Sequence, residues 1–365
     1  MNPSYYNIHA KFKLNGNHYG RRDLLEQAYC LVKEGEDYEI EIGDFLLDWL
    51  DASDVVQVNT SGSTGIPKKI NLEKKHMVNS ALATGAFFNL AEGTKALHCL
   101  PTGFIAGKMM LVRAMVLGWE IQLVAPNAQP MQSVKGVYDF GAMVPLQVEN
   151  SLDTLDQIGT LIVGGAPMSG ELKSKLSTIS TDVYETYGMT ETITHIAAKR
   201  VITKKVDEGE SNLTNNFKAL PKVSFSVDQR GCLVIKAPHV SEQEVVTNDI
   251  VRLFSKSEFE WLGRFDNVVN SGGIKLIPEQ IEFKLSTLLT KRFFVTGIPD
   301  ATLGQKLVLV VEGEEDISIL QEKIKKIPSL DKYEMPKQIY TLPNFVETGS
   351  GKVNRGETLR ALGLG

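Results

Sequence analysis

The sequence predicts an α/β protein. A large N-terminal domain of βα units with an added β-rich part is expected over residues 1–265, and a small mobile α+β domain over residues 266–365. Three observations predict this. Between residues 55 and about 200, short β-prone runs alternate with longer helix-like stretches, the pattern of βα units on a largely parallel sheet. After residue 200 the text turns to short strands and turns. From Asp266 a turn, a helix, strands and a second helix follow as a separate unit. A length of 365 residues also exceeds one small core.

In order along the chain, residues 24–33 and 45–50 have apolar spacing suited to helices. The β-prone runs are VVQVN (55–59), ALHCL (96–100), IQLVA (121–125), TLIVGG (160–165) and VYETYG (183–188). Helix-like stretches cover 76–90, 108–118 and 169–177. KVSFSV, CLVIKA and DIVRLF then read as strands of the β-rich part. In the small unit, 278–289 and 316–327 are expected helices, and FFVTG and LVLVVEG expected strands. The boundary near residue 265 has no Gly/Ser linker, so a hinge there must be short.

Composition narrows the class. The net charge of −5 offers no basic field for a nucleic-acid backbone. No apolar run approaches the ~20 residues of a membrane span, and the N-terminus lacks a signal-peptide core. Three scattered cysteines (Cys30, Cys99, Cys232) have no metal spacing and no disulfide framework. A cytoplasmic protein is expected.

The motifs carry the chemistry. Residues 60–69 read TSGSTGIPKK after a β-prone run. Thr60, Ser61, Gly62, Ser63, Thr64 and Gly65 can wrap a polyphosphate with hydroxyls and backbone N–H groups, and Lys68 adds charge. The spacing is not that of a Walker A loop, which would need glycine where Pro67 stands. Downstream come Gly164, Gly165, Ala166 and Pro167 (GGAP), then YETYGMTE over 184–191, TND over 247–249, GRFD over 263–266, SGGIKLIPEQIE over 271–282 and TGSGKVNR over 348–355.

This series, in this order, resembles the adenylate-forming superfamily of acyl-CoA synthetases, peptide-synthetase adenylation domains and firefly luciferase. The resemblance covers residues 55–355. It implies that residues 60–68 hold ATP phosphates, that 164–167 contact adenine and that Tyr187 stacks on the purine. Gly188 lets the backbone approach. Thr190 donates to the α-phosphate and Glu191 ligates Mg²⁺. Asp249 accepts from ribose hydroxyls, Arg264 contacts ribose and phosphate, Asp266 is the hinge, and Lys352 is the catalytic lysine. Lys69, Asn248 and Gln280 depart from the usual Gly, Gly and Glu. The implied reaction is carboxylate plus ATP to acyl-AMP and pyrophosphate, then transfer of the acyl group to CoA. A lysine between two anions holds them in attack geometry, and the small domain then rotates to admit the thiol. A carrier-protein thiol as acceptor, and a non-catalytic nucleotide-binding relic, are the alternatives.

Residues 98–118 resemble the acyl-pocket region, most like o-succinylbenzoate–CoA ligases of menaquinone synthesis. The implied substrate is an aromatic dicarboxylate of the o-succinylbenzoate kind whose second carboxylate meets Arg113 or Lys108, with His195 lining the same pocket. Arg113 snorkelling to water and His195 as a plain core histidine remain the alternatives. Only 59 residues precede the phosphate loop, fewer than in typical members, so a reshaped acyl pocket or dimer surface is expected; a homodimer is left open.

Overall fold

The computed structural model describes residues 4–60, 68–201, 216–347 and 353–364. Its frame is a 13-stranded sheet. Asp182–Gly188, Ile158–Val163, Tyr138–Met143, Lys95–His98, Glu120–Leu123 and Lys13–Leu14 lie side by side in that order, and each runs parallel to its neighbour. Asn17–His18 closes that edge as a hairpin. Beyond 182–188 the sheet continues antiparallel through His195–Arg200, Phe217–Ala219, Glu258–Arg264, Val245–Ser255, Cys232–Lys236 and Ser224–Val227.

Side chains alternate across a strand, and here they feed two cores. Ala96, Leu100, Phe140 and Ala142 belong to one; Leu97, Cys99, Met143 and Leu161 belong to the other. The helix Ile105–Leu117 lies in the first, with every residue from 107 to 116 buried. An apolar sequence on all sides is suited only to full enclosure, and the helix Lys74–Phe87 completes it.

The chain steps outward from 95–98 to 120–123, then returns to the opposite side of 95–98 as 138–143. The strand order reverses at that point. In open α/β sheets, the crevice outside the carboxyl ends at such a reversal receives ligands. Segments 99–104, 124–127, 144 and 164–167 all leave those carboxyl ends.

Several elements differ from the sequence reading: His195–Arg200 and Glu258–Arg264 are strands that it did not mark, the second helix runs over Asp37–Leu50, and two further differences lie close to the site. The VVQVN run is not in the parallel array: Val55–Thr60 pairs antiparallel with Lys68–Glu73 as a separate two-stranded sheet. A partner strand eight residues on is closer in sequence than any strand of the large sheet. The strand Tyr138–Met143, at the centre of the parallel array, was not expected. Its sequence YDFGAM carries Asp139 and Gly141, which mask the β signal; Gly141 is where Ile158 and Leu161 pack close.

Between Arg264 and Val269 the chain passes to a five-stranded sheet of Val269–Ser271, Ile274–Leu276, Phe293–Asp300, Gly304–Glu312 and Gln338–Leu342. Helices Pro278–Leu285 and Ile317–Ile324 cover it with Ile281, Leu285, Leu320 and Ile324.

Candidate functional site

The two ends of the phosphate-loop motif lie on paired strands. Thr60 and Lys68 form the last cross-strand pair, so the strands bring both ends of the loop together. Ser61, Gly62, Ser63, Thr64 and Gly65 lie outside the described residues. Gly164 to Pro167 leave the carboxyl end of Ile158–Val163, with the Gly164 N–H on the Met143 carbonyl at 3.2 Å.

A brace that sequence reasoning missed stands behind this turn. Glu185, buried on the 182–188 strand, accepts from Met168 N at 3.2 Å and pairs with Lys199 at 2.7 Å and Lys173 at 3.0 Å. Burial alone would raise its pKa, but the two ammonium groups outweigh that and hold it below the usual carboxylate value.

The YGMTE motif ends the same strand. Gly188 is opposite His195, and a Cβ there would lie 2.2 Å from the Thr194 carbonyl oxygen. Only glycine fits. Thr190 and Glu191 form a single 3₁₀ turn held by Thr192, whose hydroxyl accepts from Met189 N at 3.1 Å. The turn ends on Ile193 with φ of 65°, a strained value for a β-branched residue. Glu191 is exposed and makes no hydrogen bond or ion pair among the described residues, so its oxygens are open to a hard cation such as Mg²⁺.

Thr247, Asn248 and Asp249 lie inside a strand, and Asp249 is the direct cross-strand neighbour of Arg264. Two motifs fifteen positions apart therefore meet, with Arg264 Nη1 3.5 Å from Asp249 Oδ1. Asp249 is buried at 5% exposure. It accepts from Tyr187 Oη at 2.6 Å and from Trp261 Nε1 at 3.1 Å. Tyr187 thus meets Asp249 by its hydroxyl, and its ring packs on Phe217 and Phe259. Burial and the carboxylate push the Tyr187 pKa far up, so the phenol stays a donor. Trp261 had no motif to mark it. Asp266 joins the group through Asn248 Nδ2 at 3.1 Å and Arg264 Nη2 at 3.5 Å.

Of the acyl-pocket residues, the structure brings together Arg113 and His195 but not Lys108. Arg113 is 1% exposed. Its Nε donates to Thr84 Oγ1 at 3.3 Å, its Nη1 to Met110 Sδ at 3.6 Å, and its Nη2 lies 3.4 Å from His195 Nδ1. No carboxylate bonds it among the described residues, and burial pulls its pKa down to about 9. His195 is held neutral, its pKa lowered by burial and then by Arg113. Lys108, five residues earlier, points to another side of the helix, where its Nζ lies 4.9 Å over the Phe45 ring. Burial lowers its pKa, against the pull of Asp48, Glu41 and Asp44.

Lys352 lies outside the described residues, but its flanks are fixed. Glu347 and Val353, on either side of residues 348–352, form an antiparallel bridge. Arg355, the last residue of that motif, reaches Glu282 of the SGGIKLIPEQIE motif at 2.9 Å and lies over the Phe294 ring. The same helix touches the large sheet. Gln280 Nε2 donates to the Leu262 carbonyl at 2.8 Å, and a Cβ on Gly263 would lie 2.4 Å from Glu279 Oε2.

The family model described as AMP-binding enzyme matches residues 22–234. The solved structure of an acyl-CoA synthetase (AMP-forming)/AMP-acid ligase II-like protein from Dyadobacter fermentans is 36% identical, covers 94% of this chain and 99% of its own, and superposes with a TM-score of 0.61. The chain belongs to the AMP-binding enzyme family. It is an ATP-dependent ligase of the acid–CoA class. Among curated relatives, the 2-succinylbenzoate–CoA ligase of Bacillus cytotoxicus is 27% identical over 84% of this chain and 69% of its own length. That of Enterococcus faecalis is 25% identical over 80% and 67%. The o-succinylbenzoate CoA synthetase of Bacillus subtilis, solved with the acyl-adenylate OSB-AMP, shares the fold at a TM-score of 0.69 and 18% identity, over 94% of this chain and 81% of its own. No helix among the described residues is long and apolar enough to cross a membrane.

Proposed function

We propose that this chain activates o-succinylbenzoate as its acyl-AMP with ATP and Mg²⁺ and then transfers the acyl group to CoA. One observation carries the substrate: Arg113 is a buried guanidinium caged by Thr84, Met110 and His195, all without negative charge, so its counter-charge is left to an incoming anion. A buried cation without a partner is costly, and a carboxylate partner relieves that cost. The relatives named for 2-succinylbenzoate support the same acid.

The remaining roles follow the motifs. Residues 60–68 and Thr190 hold the phosphates, Glu191 holds Mg²⁺, residues 164–167 with Tyr187 and Gly188 form the adenine site, and Asp249 with Arg264 holds the ribose. Residues 1–265 act as the large domain, and 266–365 as a lid that turns near Asp266 to bring Lys352 to the carboxylate.

The test is a panel of acids with ATP, Mg²⁺ and CoA, reading AMP and acyl-CoA. o-Succinylbenzoate should give the highest kcat/KM. Arg113→Leu should raise its KM by about ten- to a hundredfold, since a charge-assisted contact contributes roughly 1.5–3 kcal/mol. It should spare a monocarboxylate of similar shape. A wild-type preference for benzoate or fatty acids, or an Arg113→Leu enzyme with unchanged KM, would sink the substrate assignment.

A further inference from the structure

Thr84 lies on the 74–87 helix and is fully buried. Three groups meet at its hydroxyl. The Ser80 carbonyl oxygen is 3.0 Å away, Arg113 Nε 3.3 Å, and His195 Nε2 3.3 Å. A hydroxyl has one proton to give, and arginine can only donate. The Thr84 proton goes to the Ser80 carbonyl, which cannot donate. Arg113 Nε–H and His195 must therefore both donate to Thr84 Oγ1. His195 then carries its proton on Nε2, and its bare Nδ1 accepts from Arg113 Nη2 at 3.4 Å. One hydroxyl thus sets the imidazole tautomer, and the two together fix the guanidinium at Nε and at Nη2.

Arginine has five N–H donors. Nε is spent on Thr84, one Nη1 hydrogen on Met110 Sδ and one Nη2 hydrogen on His195. One hydrogen remains on each terminal nitrogen, the pair that suits the two oxygens of a carboxylate. We infer that Thr84 is a specificity-positioning residue: through Arg113 and His195 it holds a two-pronged cation ready for the non-reacting carboxylate of an aromatic dicarboxylate. This rests on the reading of Arg113 given above.

The experiment compares o-succinylbenzoate with 4-oxo-4-phenylbutyrate, which lacks the aromatic carboxylate, in the full-length enzyme with ATP, Mg²⁺ and CoA. Thr84→Val keeps the side-chain shape and removes the hydroxyl, leaving Arg113 Nε and His195 Nε2 without an acceptor. It should raise the KM for o-succinylbenzoate about tenfold. The kcat, and the KM for 4-oxo-4-phenylbutyrate, should stay within about twofold. Thr84→Ser should restore the wild-type KM. Equal losses on both acids, or a Thr84→Ser enzyme as poor as Thr84→Val, would overturn the proposal in favour of a structural role. Should Thr84→Val not fold, Thr84→Cys is read with the same expectation. Arg113→Leu separates the two claims. If it leaves the preference between the acids unchanged, the reading of Arg113 fails. If it abolishes the preference while Thr84→Val does not, the positioning by Thr84 alone fails.

Discussion

Single residues show how burial selects protonation states here. His98 is 1% exposed, with Nε2 3.0 Å from Thr102 Oγ1 and Nδ1 without a partner among the described residues. Burial drops its pKa to about 4. An unfolded chain takes up that proton at about pH 6.5, so between those values it binds more protons than the folded one and stability must fall as pH falls. The His98 contribution is complete above about pH 6.5, and about 2 kcal/mol of it should be gone by pH 5. His195 shifts in the same direction. Urea midpoints at pH 7.5 and pH 5 measure this. His98→Gln should flatten the difference, and an equal slope in wild type and variant would refute it. The sequence made His195 legible as a candidate because it follows a motif. Thr84 and His98 were not: a threonine in an apolar helix and a histidine at a strand end have no local signature, and only the packing of distant segments gives them partners. Tyr187 and Asp249 were legible as a motif pair, but their bond to each other at 2.6 Å was not, because it spans two strands of one sheet.

Elements were more readable than their pairings. Helix and strand periods marked most segments, yet nothing local distinguishes a strand of the large sheet from one arm of a hairpin, which is why 55–60 was assigned to the wrong partner. The helix Pro278–Leu285 shows what an element gains from position. Its Gln280 reaches back across residues 264–268 to Leu262, and its Glu279 fits against bare Gly263. Any rotation about Asp266 must break both contacts. Gln280→Glu replaces a donor by an anion facing a carbonyl oxygen, so it should disfavour this arrangement by roughly 1–3 kcal/mol. The two half-reactions should then shift in opposite directions. ATP–pyrophosphate exchange and thioester formation from supplied acyl-AMP read them separately; parallel changes would show that the contact does not govern the rotation.

At the scale of the whole molecule, Asp249 and Arg264 stand on the large sheet, whereas residues 347 and 353, which flank Lys352, follow the five-stranded sheet. Residues 61–67 are flanked by the paired strands Val55–Thr60 and Lys68–Glu73, and residues 348–352 by the Glu347–Val353 bridge. Only their relative placement decides whether Lys352 meets the α-phosphate. Lys352→Ala should therefore cut adenylate formation by about 10²–10³. Thioester formation from supplied acyl-AMP should remain largely intact, since that step follows removal of the loop. Equal loss in both steps would refute the assignment. The order of motifs along the chain, rather than any one of them, made this architecture readable: TND and GRFD alone look like solvated turns, and the structure pairs Asp249 of TND with Arg264, in the Gly263–Arg264 start of GRFD, across two strands.

The penultimate strand of the large sheet, Lys13–Leu14, has a consequence for synthesis. Its partners are Glu120 and Ile121, and its only other neighbour is the short Asn17–His18 arm. The ribosome makes Lys13 107 residues before Glu120. At roughly 5–20 residues per second, the nascent strand waits on the order of ten seconds before its docking site exists. Phe12 and Leu14, buried in the finished core, lack that neighbouring strand throughout the interval. Residues 12–14 are thus presented to chaperones and to aggregation partners before the strand that pairs with them has been made.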